Sequence, residues 1–293
     1  EGKIKWLGGK AGALDFKANN RRADGEHVAG SGPAGRIGHE DLDLFMRSGG
    51  GATRAGRAAD TSVKEIAVIG LRRKIAEKMT ISRSRIPDIV YVEEADVTAL
   101  EDLRARLNGE KREGRPKLTI LPFLMRAMAK AIAEQPQMNS LFDDEAGIVR
   151  QYGGVHIGVA AQTDAGLMVP VVRHVEARSL WDCAAEVARL AEAAKNGTAT
   201  REELSGSTIT ITSLGALGGI VTTPVINHPE VAIVGPNKIR VTPVWDGNQF
   251  VPRKVMNLSC AFDHRIVDGW NAAVFVQKIR TLLENPAMIF IED

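Results

Sequence analysis

The chain has 293 residues, of which 44% are hydrophobic and 25% charged, which is enough apolar content for a folded core. Its formal net charge is only +2, so a strong basic stripe of the kind that binds nucleic acid is not expected. No apolar run reaches the ~18 residues of a membrane span, and Cys183 and Cys260 do not have metal-ligand spacing. We expect a cytoplasmic protein with reduced thiols and without metal, nucleic-acid or membrane partners.

The first 62 residues contain little that a core could bury. Residues 1–27 are polar and irregular, whereas residues 28–46 combine a glycine-rich turn with one short helix. Residues 47–62 are rich in Gly, Ala, Ser and Arg, a composition typical of a flexible linker. From residue 63 to residue 293 the pattern is globular. The predicted parts are therefore a small partial domain (1–46), a linker (47–62) and one large domain (63–293).

One motif in the first part has the residue spacing of a nucleotide-binding pattern, but not the structural context that such a pattern needs. Gly30, Gly32 and Gly35 have the spacing of the dinucleotide fingerprint. The residues before it are polar instead of forming an apolar strand, and Pro33 lies inside it. We interpret the motif as a turn.

The large domain is predicted to alternate between helices and strands. Apolar residues at helical spacing predict helices over 71–85, 98–107, about 119–134, 179–195 and about 270–284. Strands are predicted over 88–95, 155–161, 166–172, 207–212, about 231–235, 238–244 and 253–262. Thr98 and Glu101 have the spacing of a capping box. Because the elements do not follow a regular βαβ repeat, we predict an α/β fold of the α+β sandwich type, with a mixed sheet covered by helices.

The strongest local signal for chemistry is a histidine at the end of an apolar strand. His264 follows Phe262 and Asp263, and Asp268 and Gly269 come just before the last helix. A rigid strand end can project such a side chain into a cleft. Spacing alone also allows Asp268 to be only a helix cap and His264 a hydrogen-bonded turn residue. The other histidines have no nearby partner in the sequence and are interpreted as structural: His27, His39, His156, His174 and His228.

A second signal lies where another strand meets a glycine-rich loop. Thr212 and Ser213 end this strand, and three glycines follow at 215, 218 and 219. Glycines let the backbone approach a ligand closely, and the hydroxyls could donate to a developing oxyanion. Ordinary turn chemistry is the competing interpretation.

Together these segments resemble the catalytic domain of the dihydrolipoamide acyltransferases, the E2 subunits of 2-oxo acid dehydrogenase complexes. Five motifs carry the resemblance, in the family's order: Leu71-Arg72-Arg73-Lys74-Ile75-Ala76-Glu77-Lys78-Met79, Gly166-Leu167-Met168-Val169-Pro170-Val171-Val172, Thr212-Ser213-Leu214-Gly215-x-x-Gly218-Gly219, Thr223-Pro224-Val225-Ile226-Asn227-x-Pro229-Glu230-Val231-Ala232-Ile233 and Asp263-His264-Arg265-x-x-Asp268-Gly269. The match spans 63–293. The shorter His-x-x-x-Asp-Gly is shared with chloramphenicol acetyltransferases, so a fold like theirs is implied, whereas Asp263 before the histidine is typical of the E2 branch.

The resemblance implies roles for three catalytic side chains. His264 would be the general base that takes the proton of a thiol, because the thiolate is the nucleophile and free imidazole is mostly neutral at neutral pH. Thr212 would donate to the oxyanion, in place of the family's usual serine, with Ser213 as an alternative donor. Asp268 would give electrostatic support by holding Arg or His geometry. By resemblance alone, Arg104 and Thr119 are expected near coenzyme A.

The implied reaction is acyl transfer between dihydrolipoamide and coenzyme A, with both as substrates and no metal. The glycine-rich loop and its neighbours resemble the branched-chain subfamily most, which predicts an acyl group such as isobutyryl. Two alternatives stay open. The same reaction could use acetyl or succinyl groups, or the chain could be an inactive structural core.

The resemblance also implies partners. The family forms trimers with the active site between subunits, and the trimers join into a large hollow core. Residues 28–46 resemble the second half of a peripheral-subunit-binding domain, but 1–27 lack its first helix, which puts binding of the dehydrogenase (E1) and lipoamide dehydrogenase (E3) components in doubt. The lipoyl lysine motif Asp-Lys-Ala is not found in 1–293. These features predict a truncated chain or a degenerate N-terminus.

Overall fold

A computed structural model describes residues 28, 30–33, 36–47, 60–110, 114–163 and 166–291. Residues 1–27 and most of the predicted linker lie outside the described residues. The chain divides into two compact units, residues 1–66 and 67–293. The predicted domain boundaries at 46 and 63 stay a prediction.

The described part of the first unit contains one short helix after a turn. Helix α1 (His39–Arg47) corresponds to the short helix that the sequence predicts within residues 28–46. The Asp41 carboxylate accepts hydrogen bonds from the backbone N–H of Gly38 at 2.8 Å and of Ser31 at 3.0 Å. These bonds lower the pKa of Asp41 and hold the turn against the first turn of the helix.

The second unit contains five further α-helices in its described part, each close to a predicted one. They are α2 (Gly70–Arg85), α3 (Thr98–Gly109), α4 (Ile120–Glu134), α5 (Leu180–Lys195) and α6 (Gly269–Glu284). Helix α5 has the clearest local signals. Ser179 and Asp182 form a capping box at its start, and Asn196 caps its end, followed by Gly197 at φ +70°.

Ten strands complete the described part of this unit. They are β1 (Asp88–Asp96), β2 (Ser140–Asp143), β3 (Ile148–Gln151), β4 (Ile157–Thr163), β5 (Gly166–Met168), β6 (Val171–Val172), β7 (Ile209–Thr212), β8 (Ala232–Pro236), β9 (Arg240–Trp245) and β10 (Phe250–Asp263). The strand predicted over 166–172 is divided in two, because Pro170 lacks the N–H that a continuous ladder needs. Strands β2 and β3 form a separate hairpin.

The other eight strands form one mixed sheet. Its order is β1-β10-β8-β7-β4-β5, with β6 beside β4 and β9 beside β10. The pairs β4–β7 and β7–β8 are parallel, whereas β10 is antiparallel to β1, β8 and β9. The predicted mixed α/β fold is confirmed.

One face of this sheet packs against helices. Alternate residues of β10, Leu258, Cys260 and Phe262, join the main core, together with buried side chains of α4, α5 and α6. The Phe262 ring meets Phe275 of α6 edge to face, with 6.2 Å between ring centroids. Since side chains alternate along a strand, the residues between these face the opposite side.

The opposite face carries the polar residues. It includes Thr208, which directly precedes β7, Thr210 and Thr212 of β7, and Ser259 of β10. A second, small apolar cluster on this side contains Ile86, Ile226, Ile233 and Ala261. The side of the sheet away from the main core is therefore the one that presents hydroxyl groups near the strand ends.

Two local features differ from the prediction. The capping box at Thr98 is wrong: Val97 is the N-cap of α3 and makes no side-chain cap bond. The Thr98 hydroxyl donates to Asp96 at 2.5 Å and accepts from the backbone N–H of Lys254 at 2.9 Å, so tertiary contacts use the group that a cap needs. The hairpin β2–β3 was not predicted.

Candidate active site

His264 lies in a tight turn directly after β10. Its backbone N–H donates to the carbonyl of Pro87 at 3.1 Å, and the Asp263 carbonyl accepts from the N–H groups of Ile266 and Val267 at 3.0 and 2.9 Å. The His264 side chain is exposed and has no hydrogen-bond partner among the described residues. The strand and turn therefore present a free imidazole on a fixed backbone.

The residues on either side of His264, Asp263 and Arg265, form a salt bridge. Asp263 is almost fully buried, and its carboxylate accepts from Arg265 Nε at 2.9 Å and Nη2 at 2.6 Å. Hydrogen bonding to Asp263 raises the pKa of the Arg265 guanidinium. Arg265 thereby supplies the hydrogen bonds that the Asp263 carboxylate needs, because burying an unpaired charge costs free energy.

A further acid, Asp144, joins this network from the β2–β3 hairpin. Its Oδ1 accepts from Arg265 Nη1 at 2.5 Å, and its Oδ2 lies 2.9 Å from His228 Nε2. Burial opposes ionisation, but hydrogen bonds from His228 and Arg265 hold the pKa of Asp144 below its ordinary value. His174 Nδ1 lies 2.8 Å from Glu176, and His156 Nδ1 accepts a hydrogen bond from the backbone N–H of His174. Of these three histidines, only His174 has its partner nearby in the sequence, so the prediction of no nearby partner is wrong for that residue.

Asp268 occupies the N-cap position of α6 without acting as a side-chain cap. Its backbone is extended, and its carboxylate makes no capping hydrogen bond. The side chain is exposed and has no ionic partner in the described part of the chain. The expected Arg or His partner of Asp268 is therefore not found within the described residues of one chain.

Thr212 and Ser213 lie at the end of β7, both half-buried. The Thr212 methyl is 3.5 Å from the point where a Cβ on Gly235 would be, which places Thr212 beside β8. Its hydroxyl has no partner among the described residues. The Ser213 hydroxyl accepts from the Gly215 N–H at 3.2 Å, and Gly215 has φ +54°, a conformation that favours glycine.

The loop after Thr212 exposes large apolar side chains. They are Leu214, Leu217, Ile220 and Val221, of which Leu217 is 92% exposed. Side chains of this size next to one another are typical of a surface that another protein chain covers.

The structure does not bring His264 and Thr212 together within one chain. Thr212 lies level with Gly235 of β8, which pairs with Ser259 of β10. His264 is five residues farther along β10 and its turn, which is roughly 17 Å at ~3.4 Å per residue. The two side chains therefore lie at opposite ends of the sheet.

Arg104 and Thr119 lie close to each other. The Arg104 guanidinium makes two hydrogen bonds to Glu101, at 2.7 and 2.6 Å, and one to the Leu118 carbonyl at 3.3 Å. Hydrogen bonding to Glu101 raises the pKa of Arg104. Thr119 is exposed at the N-cap of α4 and makes no side-chain cap bond. Arg104 is thus engaged by Glu101 and by the carbonyl of Leu118, the residue before Thr119, whereas the Thr119 side chain is exposed.

Beneath β7 lies a buried carboxyl group that sequence reasoning missed. Glu230 accepts hydrogen bonds from Ser207 at 2.5 Å, Thr210 at 2.6 Å and Asn227 at 2.7 Å. Burial raises the pKa of Glu230, although these hydrogen bonds oppose the shift. The sequence around Glu230 gave no signal of such a network, because two of its three donors, Ser207 and Thr210, lie 23 and 20 residues earlier in the chain.

Two other types of site were sought in the described residues. No group of three His, Cys, Asp or Glu side chains there could hold a metal ion. Within the same ranges, no helix is long and apolar enough to cross a membrane.

This fold, with a histidine turn at one end of the sheet and a hydroxyl-bearing glycine loop at the other, matches a known class. The chain belongs to the 2-oxoacid dehydrogenase acyltransferases, whose catalytic-domain model matches residues 60–291. The predicted resemblance to the E2 acyltransferases is thereby confirmed.

The individual relatives agree. The chain is 58% identical over 285 residues to the lipoamide acyltransferase component of the branched-chain alpha-keto acid dehydrogenase complex of Pseudomonas aeruginosa, covering 96% of this chain and 67% of that protein. It is 36% identical over 287 residues to the dihydrolipoyllysine-residue acetyltransferase component of the pyruvate dehydrogenase complex of Staphylococcus aureus, covering 90% of this chain and 66% of that protein. The chain thus spans about two thirds of the length of these relatives.

Solved structures of the class have a similar fold. The dihydrolipoamide acetyltransferase of Azotobacter vinelandii superposes with a TM-score of 0.75 at 36% identity, covering 78% of this chain and 95% of that chain. The cubic core of a pyruvate dehydrogenase multienzyme complex gives 0.75 at 37% identity, with the same coverage.

The Azotobacter vinelandii enzyme also offers a comparison of spacing. A serine, a histidine and an asparagine are connected with its catalytic mechanism; the serine lies 52 residues before the histidine and the asparagine four residues after it. In the present chain, Thr212 and Asp268 have the same spacing from His264.

Proposed function

We propose that this protein transfers a branched-chain acyl group, such as isobutyryl, between dihydrolipoamide and coenzyme A, as the core acyltransferase of a 2-oxo acid dehydrogenase complex. The choice of a branched-chain acyl group is supported by sequence identity. The chain is 58% identical to the acyltransferase component of a branched-chain alpha-keto acid dehydrogenase complex and 36% identical to an acetyltransferase component. Acetyl or succinyl transfer is the alternative within the same reaction.

In the proposed chemistry the His264 imidazole takes the proton of the attacking thiol. The thiolate sulfur then bonds to the carbonyl carbon of the acyl thioester and gives a tetrahedral oxyanion, to which the Thr212 hydroxyl donates. When the intermediate collapses, the second sulfur leaves and takes the proton from the imidazolium. The free imidazole, the free hydroxyl and the spacing shared with the Azotobacter vinelandii enzyme support these roles.

Asp268 is proposed to give electrostatic support. Its carboxylate neither caps α6 nor pairs within the described part of one chain, so it remains available to a charged group of a second subunit or of the substrate. Ser213 is the alternative oxyanion donor. Arg104 and Thr119 are proposed to contact coenzyme A, with Glu101 holding the guanidinium in place.

The complete active site is proposed to lie between subunits. His264 and Thr212 are at opposite ends of the sheet, so a site that contains both needs two chains. The exposed apolar side chains next to Thr212 supply a surface for that contact. We propose trimers that join into a larger core, and the similarity to a cubic core supports this assembly.

The remaining partners are proposals of the same kind. The dehydrogenase (E1) and lipoamide dehydrogenase (E3) components are the expected partners of an E2 core, with binding through 28–46 weakened if its first helix is lacking. The lipoyl group is proposed to act as a substrate, since the lipoyl lysine motif is not found in residues 1–293. The complex is proposed to be cytoplasmic.

The function is tested by comparing donors. Isobutyryl-, acetyl- and succinyl-CoA are each offered with dihydrolipoamide, and kcat/KM is measured. The isobutyryl donor should give the highest value. A higher value for acetyl or succinyl would replace the branched-chain proposal, and an assembled protein that exchanges none of the three would be an inactive core.

The shared site is tested by mixing subunits. His264→Ala and Thr212→Ala proteins are dissociated, mixed and reassembled. Because some interfaces then combine the intact His264 of one chain with the intact Thr212 of another, activity should return. Each variant reassembled alone is the control. Mixed particles as inactive as the controls, or a stable and active monomer in sedimentation, would contradict the proposal.

A further inference from the structure

Arg265 stiffens the turn that carries His264, but its strongest partner belongs to the same turn. The Arg265 guanidinium makes hydrogen bonds to Asp263 at 2.9 and 2.6 Å, and the Arg265 N–H donates to the same carboxylate at 3.1 Å. Because Asp263 and Arg265 are two residues apart, these bonds do not tie their side chains to a distant part of the chain.

Asp144 connects the turn to a distant part of the chain. Its Oδ1 accepts from Arg265 Nη1 at 2.5 Å across 121 residues of sequence. The Arg265 guanidinium also lies over the Phe142 ring, 4.7 Å from its centroid. The β2–β3 hairpin therefore contacts the residue next to His264 through a charge and through an aromatic face.

The part of the hairpin that bears Asp144 is itself fixed. Asp144 Oδ2 is 2.9 Å from His228 Nε2 and 3.7 Å from Arg85 Nη1. The Phe142 N–H donates to the Pro229 carbonyl at 2.8 Å, which connects the hairpin to the segment before β8. The Asp144 side chain is only 15% exposed, so solvent screens its interactions less than those of a surface pair.

We propose that Asp144 is a positioning residue for acyl transfer, which acts through Arg265 to hold the His264 turn in the orientation that proton transfer needs. Asp144 makes no contact with the imidazole. The inference rests on the proposed function, because it assigns no chemistry of its own. General-base catalysis depends steeply on geometry, since a displacement of about 1 Å can cost ~10²-fold in rate.

The test is Asp144→Asn in the assembled protein. Asparagine has nearly the same size but no charge, so the anchor weakens without leaving a cavity. We expect kcat for acyl exchange to fall on the order of tenfold, while KM for both substrates and the melting temperature stay nearly unchanged. A residue with a merely structural role would change the melting temperature instead of kcat alone.

Asp143→Asn is the matched control. Asp143 precedes Asp144 on the same hairpin, is 31% exposed and pairs with Arg150 at 2.9 Å, without a contact to Arg265. Its kcat should equal that of the parent. His228→Asn is a second variant, which keeps the bond between Asp144 and Arg265 but removes the second partner of Asp144, and it should lower kcat less than Asp144→Asn.

A double variant shows whether Asp144 acts through Arg265. If it does, adding Asp144→Asn to Arg265→Gln causes no further loss of kcat. Fully additive losses, or equal kcat for Asp144→Asn and Asp143→Asn, would overturn the proposal. If His264→Ala is inactive while Asp144→Asn is fully active, only the positioning role fails. If the parent exchanges no acyl group, the proposed function fails first.

Discussion

The two proposed halves of the active site are built from different interactions. Around His264, a buried carboxylate, a guanidinium and a second acid fix the turn through hydrogen bonds of 2.5–2.9 Å. Around Thr212, the chain passes into glycines, and the neighbouring leucine and isoleucine side chains face solvent. One half is held by charge within the chain, whereas the other ends in an uncovered apolar surface.

This difference indicates when each half acquires its final geometry. Charge-assisted hydrogen bonds inside one chain form when that chain folds. An exposed apolar loop loses its water only when another surface covers it. We expect the His264 turn to be nearly the same in free and assembled chains, and the Thr212 loop to reach its final geometry only on assembly.

The largest expected effect comes from the charged half. His264→Ala removes the proposed base, a contribution typically of ~10²–10⁴-fold in rate. Because the side chain is exposed and has no partner in the described residues, folding and assembly should not change. Acyl-exchange rates and sedimentation are the measurements. Near-full activity in a folded and assembled variant would remove the whole mechanism.

The apolar half is tested by Thr212→Ala. Loss of one oxyanion donor should cost about 10²-fold in kcat or more, while Thr212→Ser should keep most of the activity because the hydroxyl remains. Ser213→Ala is the companion variant and should have little effect. If Ser213→Ala is the inactive one and Thr212→Ala is not, Ser213 is the donor.

An intermediate effect is expected for Asp268→Asn. Asparagine can occupy an N-cap as well as aspartate, and the carboxylate makes no capping bond here, so the melting temperature should not change. Loss of the charge should lower kcat, by less than loss of His264 does. An unchanged rate would show that the carboxylate has no electrostatic role.

The smallest effect is a change in the pH dependence of stability. Burial raises the pKa of Glu230, so the stability that this group contributes is present at low pH and is lost as the pH rises through its folded-state pKa. Relative to the parent, Glu230→Gln should therefore gain melting temperature as the pH rises above the ordinary pKa of a glutamate carboxyl.

Asp144→Asn should show the opposite sign. Despite its burial, hydrogen bonds from His228 and Arg265 lower the pKa of Asp144. Its contribution is therefore present above the unfolded-state pKa and is lost as the pH falls. Any small loss of stability in Asp144→Asn should therefore shrink in acid. Parallel curves for Glu230→Gln and Asp144→Asn would contradict the difference between their environments.

Local sequence patterns predicted those parts of the fold that depend on local forces. Apolar periodicity located β10 and α6, and the Ser179 cap and the Asn196-Gly197 end of α5 agree with short-range rules. The capping box at Thr98 failed because Lys254, far away in the sequence, occupies the hydroxyl. The candidate site residues came from motif resemblance. A motif gives the positions of side chains in the sequence, but it does not show which of them lie close together in space.

The contacts that sequence reasoning missed are the long-range ones. The hairpin β2–β3 has a turn signal, with Asp143, Asp144 and Gly147 between apolar pairs, that would have predicted it. No local pattern, however, shows that Asp144 bonds to Arg265 across 121 residues. The same is true of Glu230, whose donors are assembled by the packing of a loop on β7.

Strand β10 restricts where this chain can change in length. It runs for 14 residues, Phe250–Asp263, or about 48 Å, and its last nine residues are buried. One residue inserted there would exchange the two faces, turning Phe262 away from the helices and the Asp263 carboxylate towards them. At the exposed turn 246–249, where Gly247 has φ +103°, an extra residue leaves both faces in place. Insertions should therefore be tolerated in this turn, whereas an insertion in the buried part of β10, a few residues later, should prevent folding.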